Sequence, residues 1–190
     1  MEINMLEEKT CLICGEIFIA LSPVCKRCEA INTQKQAADM SKIMTLMEKY
    51  HTNSAVIASE SKIPVRAVKW YLYKKKADAN FSKRIGSSKP SGISISDNMY
   101  GDFIWIKAEG KVDSPSAFEL QDYLNNLLEM GWYDLILDLG GISFFCSNGI
   151  RVVLTAYKTL LDKGSFRITN PSKNVTNVLG LVNLDKMLLK

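Results

Sequence analysis

The sequence has one histidine in 190 residues and no apolar run near the roughly 18 residues that a membrane helix needs. The missing run removes membrane proteins of the helical kind from consideration. The first ten residues, MEINMLEEKT, are acidic and lack the basic start and apolar stretch of a secretory leader, so the expected compartment is the cytoplasm. The scarcity of histidine bears on catalysis. A nucleophilic Ser or Cys needs a nearby base, and the sole imidazole, His51, falls in a different half of the chain from the candidate nucleophiles discussed below. Internal repeats are also missing. A large excess of one charge is missing too: the net charge is +4, too modest to imply nucleic acid by itself.

What is present is unevenly spread. Residues 1–90 hold fifteen Lys and Arg against nine Asp and Glu, a net of +6, while residues 91–190 hold nine against eleven, a net of −2. A basic half joined to a mildly acidic half implies different partners for each. Four of the five cysteines, Cys11, Cys14, Cys25 and Cys28, lie within eighteen residues; the fifth is Cys146. The stretch ADANFSKRIGSSKPSGISISDNMY (77–100) is rich in Ser, Gly and Pro and lacks helical or strand periodicity over most of its length. It predicts a flexible linker at 77–98, dividing the chain into a four-cysteine knuckle (1–34), a helix-turn-helix (35–76) and an α/β domain (99–190).

In that last segment strands and helices alternate. Asp102 to Gly110 reads as a strand, rich in β-branched and aromatic residues. A helix follows, with Asp113 or Ser114 as N-cap, Pro115 at the first helical position, an apolar face of Ala117, Leu120, Leu124, Leu127 and Leu128, and Gly131 as its stop. Tyr133 to Leu139 is a continuous apolar run, as in a strand buried on both faces. After the polar step Ser147-Asn148-Gly149 comes a helix with Ile150, Val153, Leu154, Tyr157 and Leu161 on one side, ending at Lys163-Gly164. Ser165 to Thr169 is another strand, and Pro171-Ser172 opens a last helix through Val175, Val178 and Leu179. The alternation predicts helices packed on a mixed, largely parallel sheet.

The stretch LILDLGGISFFCSNGIRVVLTAYKTLLDKGSFRITNPSKNVTNVLGLVNLDKML, with the preceding SPSAFELQDYL, resembles the STAS domain of anti-sigma factor antagonists and sulfate-transporter tails. The resemblance implies a small α/β domain without catalytic activity that binds a protein partner, an anti-sigma factor or kinase-like regulator. In the bacterial antagonists the corresponding step reads Asp-Ser-Ser-Gly or Asp-Ser-Thr-Gly, and the residue before Gly is phosphorylated. Laid on this chain, Cys146 stands for the Asp, Ser147 matches Ser, Asn148 replaces the phosphorylated residue and Gly149 matches Gly. Asn148 has no hydroxyl to modify but is a good N-cap, and Ser147 would cap the helix if it began one residue earlier. Ser147, one residue upstream, keeps a hydroxyl open to modification. Cys146, after two phenylalanines, reads as a small apolar packing group.

In the basic half, CLICGEIFIALSPVCKRC places two Cys-x-x-Cys pairs ten residues apart. Two such turns complete a tetrahedral four-thiolate shell, for which structural Zn2+ is the expected ion; redox dithiols or disulfides are the alternatives. A minimal hairpin is expected between the knuckles, with Lys26 and Arg27 offsetting thiolate charge. Further on, Ile43, Leu46, Met47 and Tyr50 form one helix face, Asn53 or Ser54 caps a second helix, and a third carries Val65, Val68 and Leu72 inward. Arg66, Lys69 and Tyr73 face outward in this reading and, with the run Lys74, Lys75, Lys76, would meet DNA phosphates and base edges. A helical hairpin with a solvated basic face has the same pattern. The order of motifs over residues 9–76 also resembles small zinc and helix-turn-helix proteins encoded beside flagellar genes. Together these readings give a non-enzymatic regulator, either a partner-docking protein that contacts DNA, a transcription factor whose STAS domain senses a ligand or dimerises, or a protein-only adaptor.

Overall fold

The computed structural model describes residues 8–19, 24–51, 53–84, 92–181 and 184–188. The chain divides into two units, Met1–Lys74 and Lys75–Lys190.

The first unit opens with a small antiparallel hairpin of β1 (Glu8–Thr10) and β2 (Ile17–Ile19), Thr10 standing opposite Ile17. Its tip holds Cys11 and Cys14 and is closed by two bonds, Cys11 N donating to Glu16 O at 2.8 Å and Gly15 N to Cys11 O at 2.9 Å. Gly15 has φ of 76°, a conformation for which glycine has no steric cost.

Helix α1 (Lys26–Tyr50) runs 25 residues without a Gly or Pro to break it. It starts inside the segment expected to be all knuckle and crosses the expected boundary at 34/35, so the second cysteine pair and the helical part share one element. Helix α2 (Ser54–Ser61) is capped as expected by Asn53, whose side chain accepts from Val56 N at 3.3 Å. A three-residue turn, with Lys62 left-handed, leads to α3 (Val65–Arg84).

The expected inward face of α3 needs correction. Ala67, Val68, Trp70 and Tyr71 are buried, whereas Val65 is exposed and Leu72 half-buried. The edge-to-face pair Trp70–Tyr71, with centroids 5.0 Å apart, carries far more apolar area than two aliphatics and turns the helix to bury itself. They join Ile43, Ile57, Ala58 and Ile63 as buried residues.

Regular secondary structure reaches into both ends of the predicted linker. Helix α3 continues through Arg84, because nothing from Val65 to Arg84 is Gly or Pro, and Lys and Ala hold a helix without apolar periodicity. At the other end β3 (Ile93–Tyr100) is a strand, its alternation disguised by Asp97, a buried polar residue in the inward register.

The second unit is a four-stranded sheet in the order β3-β4-β5-β6, with β4 at Phe103–Val112, β5 at Asp134–Phe145 and β6 at Ser165–Thr169. The β3–β4 pair is antiparallel; β4–β5 and β5–β6 are parallel, which makes the sheet mixed as predicted. Helix α4 (Ser114–Met130) crosses from β4 to β5 and α5 (Ser147–Leu160) from β5 to β6. Helix α6 (Lys173–Leu181) and a 3-10 turn (Asp185–Met187) follow, and Leu188 bridges Ile168 in parallel.

Asp113 caps α4 in a reciprocal box with Ser116, and Gly131, at φ 93°, ends it with its amide on the carbonyls of Leu127 and Leu128. The core joins Leu120, Leu124 and Leu127 of α4 to Ile104, Ile106, Leu135 and Leu137 of the sheet, all essentially inaccessible. On α5 the buried side is Gly149, Val152, Val153, Ala156 and Leu160. The expected Leu161 lies past the helix end and is exposed, because the closing turn, Lys163 N to Leu160 O at 3.1 Å, puts Leu160 inward instead.

Candidate functional site

The four clustered cysteines meet. Their sulfurs all lie within 4.8 Å of one another, and Cys14 Sγ and Cys25 Sγ are 3.7 Å apart. A tetrahedral ion with bonds of about 2.3 Å to sulfur sets its ligands about 3.8 Å apart, so the cluster has the dimensions of such a shell. The first pair sits on the tip of the β1–β2 hairpin. The second sits at the start of α1, Cys25 as N-cap and Cys28 in the first turn, rather than on a second knuckle across a minimal hairpin.

The sulfurs are not equivalent. Burial pushes the Cys11 thiol up, but hydrogen bonds from the amides of Cys14, Cys25 and Ile13 outweigh it and bring it down to about 6. Burial, then the neighbouring sulfurs of Cys14, Cys25 and Cys11, push Cys28 up to about 12. One thiolate forms readily and the last resists, because it is buried and meets the charge of the sulfurs beside it. A divalent cation resolves that conflict, and the donor set fits it. Of the basic residues expected beside the cluster, Arg27 reaches Glu16 at 3.8 Å in an exposed pair.

The polar step lies at the other candidate site. Strand β5 runs beyond the expected end at Leu139 through Gly140 and Gly141 to Phe145. Cys146 N donates to Val112 O at 2.9 Å, tying the end of β5 to the end of β4, and Cys146 O accepts from Ile150 N at 3.2 Å. That second bond starts the helix at Ser147, so Cys146 is the N-cap, and its thiol makes no capping bond. Neither Asn148 nor Ser147 caps α5, contrary to the sequence expectation.

Asn148 is instead the second residue of α5, half-buried, and its Nδ2 donates to Ser114 Oγ at 3.2 Å. It therefore joins the first turns of two helices. Ser147 is exposed and Cys146 half-buried. Gly149 is there for packing: a Cβ on it would meet Val112 Cγ1 at 2.8 Å and the Phe145 ring at 3.1 Å.

Beside the step, α4 and α5 bound an open groove of about 200 Å³ lined by Ala117, Phe118, Gln121, Asn148, Arg151, Val152 and Thr155. Sequence reasoning missed Ser114, Phe118 and Arg151. Phe118 was legible as an apolar residue off the apolar face of its helix, and it is 63% exposed.

A family profile described as STAS domain matches residues 95–190, half of the chain. The chain belongs to the STAS family. Among solved structures, an anti-sigma factor antagonist from Mycobacterium paratuberculosis is similar to this STAS protein at 20% identity and a TM-score of 0.48, over 54% of this chain and 87% of its own. SpoIIAA from Bacillus in its phosphorylated form is 19% identical with a TM-score of 0.45, over 50% and 89%. An anti-sigma factor antagonist described as putative from Thermotoga maritima is 21% identical with a TM-score of 0.44, over 50% and 82%. No curated protein matches the sequence of this STAS protein. Among the described residues no helix is long and apolar enough to cross a membrane.

The six residues assigned to DNA all lie on α3, but not on one face of it. At 100° per residue Arg66, Lys69, Tyr73 and Lys76 share a sector, while Lys74 and Lys75 point elsewhere. Lys69, Lys75 and Lys76 are exposed. Arg66, Tyr73 and Lys74 are half-buried and already engaged, the Lys74 ammonium lying 5.5 Å from the Trp70 ring.

Proposed function

We propose that this STAS protein is a non-enzymatic bacterial regulator that docks a protein partner, an anti-sigma factor or kinase-like regulator, at the step formed by Cys146, Ser147, Asn148 and Gly149. The observation that carries the reading is Asn148. It takes the position phosphorylated in the antagonists the sequence resembles, it has no hydroxyl, and its amide is committed to Ser114. Docking here is then independent of the phosphate switch, which would add about −1.5 to −2 charges at the start of α5.

The test is zinc-loaded protein with a kinase-type anti-sigma factor and ATP. Wild type takes up no phosphate and its binding is unaffected by ATP; Asn148→Ser takes up phosphate and loses affinity. Phosphate on wild-type Ser147, or on Asn148→Ser with unchanged affinity, overturns the reading.

The same proposal assigns structural Zn2+ to Cys11, Cys14, Cys25 and Cys28, and DNA to α3. The DNA part is supported by the exposed Lys69, Lys75 and Lys76 in a half of net charge +6. Anisotropy of a labelled mixed-sequence duplex, titrated with salt, tests it. Phosphate contacts give a steep log–log slope, and Lys69→Ala with Lys76→Ala, both on exposed positions, flattens it by about two. No binding at about 50 mM salt leaves the protein-only adaptor.

A further inference from the structure

Helices α4 and α5 both cross between parallel neighbours, so they run side by side in the same direction, with the bond from Asn148 to Ser114 marking a common level near their starts. Opposite the buried side, α4 turns Phe118, Asp122 and Glu129 outward, and α5 turns Ser147, Arg151 and Lys158 outward; all six are exposed. None of the four charges forms an ion pair among the described residues. One helix thus offers an acidic ridge and its neighbour a basic ridge, with an open groove between them and a 63%-exposed phenylalanine at the rim.

Counted at 1.5 Å per residue from that common level, Arg151, Asp122, Lys158 and Glu129 fall at about 4.5, 12, 15 and 22 Å, alternating in sign along the groove. A two-fold axis along the groove keeps every level and exchanges the two sides. It lays the acidic ridge of one copy on the basic ridge of the other, twice over, and covers both Phe118 side chains. Matching α4 to α4 or α5 to α5 would set like charges together, so the pattern selects one symmetric pairing and disfavours the alternatives.

We propose that the α4–α5 face is a self-association surface whose occupant is a second copy of this chain, held through Asp122 and Glu129 against the copy's Arg151 and Lys158. This goes beyond the partner-docking reading and does not depend on it. Because Asn148 and Arg151 line the same groove, self-association and docking at the step would exclude one another, which makes partner access dependent on the protein's own concentration.

The experiment is sedimentation velocity of the zinc-loaded full chain between about 1 μM and 1 mM, the range of weak to moderate association. Wild type passes from monomer to dimer in that range. Asp122→Lys with Glu129→Lys, and separately Arg151→Glu with Lys158→Glu, each weaken the dimer at least about tenfold, since each turns every cross-interface pair repulsive. Mixing the two reversed proteins in equal amounts restores dimers to within about threefold of wild type, because the heterodimer regains both matched seams. All four sites are exposed, and circular dichroism checks the fold of each variant. A wild type that stays monomeric at about 1 mM overturns the proposal. So does a dimer that both reversals leave intact, or a mixture that stays monomeric. None of these results touches partner docking, because no partner is present.

Discussion

Gly149 and Gly180 give a paired test of whether packing or helix propensity decides the glycine at the start of α5. Both sit inside helices with ordinary backbone angles, so Gly→Ala gains about 1 kcal/mol of helix propensity at an interior position and less near an end. Their surroundings differ. A Cβ on Gly180 has nothing within 4 Å, whereas one on Gly149 meets Val112 Cγ1 at 2.8 Å and the Phe145 ring edge at 3.1 and 3.2 Å. Val112 is stiff at χ1 and fully buried, and Phe145 closes β5, so neither yields easily.

Overpacking of this sort costs about 1–3 kcal/mol, against a propensity gain of about 0.5 kcal/mol in the first turn. Gly149→Ala is therefore expected to be about 0.5–2.5 kcal/mol less stable, and Gly180→Ala more stable by about 0.5 kcal/mol. The assay is urea unfolding with and without a chelator. With two units a single two-state fit is unsafe, and the transition that ignores the chelator is the one to read. Equal gains at both sites would refute the steric argument and return Gly149 to a role in backbone or partner contact.

Metal uptake at pH 7 is expected to release fewer than four protons per ion in weakly buffered titration, because Cys11, held near 6, is already largely a thiolate while Cys28, near 12, must be deprotonated by the ion. Release of four would contradict the amide stabilisation of Cys11. Asp113 has its carboxyl held below the usual carboxylate range by bonds from the Ser116 side chain and amide. A depressed folded value contributes stability above the unfolded pKa of about 3.9 and loses it as pH falls through the folded value. The stability gap between wild type and Asp113→Ala should thus narrow on acidification below about pH 4, and a constant gap would refute the assignment. Leu124→Ala, at a fully buried site facing the sheet, should cost about 2–5 kcal/mol in the chelator-insensitive transition, and a loss under 1 kcal/mol would mean that α4 is not part of the core.

Much of this was legible in the sequence where local signals agree with the fold. Asp113, Pro115 and Gly131 bracket α4 because capping chemistry is local, and Ser165–Thr169 is the strand the pattern predicts. The cysteine spacing foretold the sulfur cluster, although not that a helix would supply half of it. Failures arose where tertiary structure overrides composition. Strand β3 hid behind exposed Ser94, Ser96 and Asn98 and the buried Asp97; β5 carries Gly140 and Gly141 through a register shift against Glu109, with a Cβ on Gly141 only 2.6 Å from Glu109 Cγ. The start of α5 was missed because the bond that sets it runs from the Ile150 amide to the Cys146 carbonyl, and any side chain can stand at Cys146. The groove needed two helices brought together in space, which no single stretch encodes.

The length of α1 has a kinetic meaning. Between Cys28 and Ile43 no side chain of the helix is fully buried, so four turns span the gap with little hydrophobic support. A segment of that kind pays heavily for its first turn and little for each one after it. Whatever fixes Cys25 and Cys28 in place has already formed that turn. The sulfur cluster is then a nucleus from which the helix grows toward Ile43, and breaking it up, as with Cys25→Ser and Cys28→Ser together, should convert a cooperative rod into a fraying one, melting from the cysteine end inward.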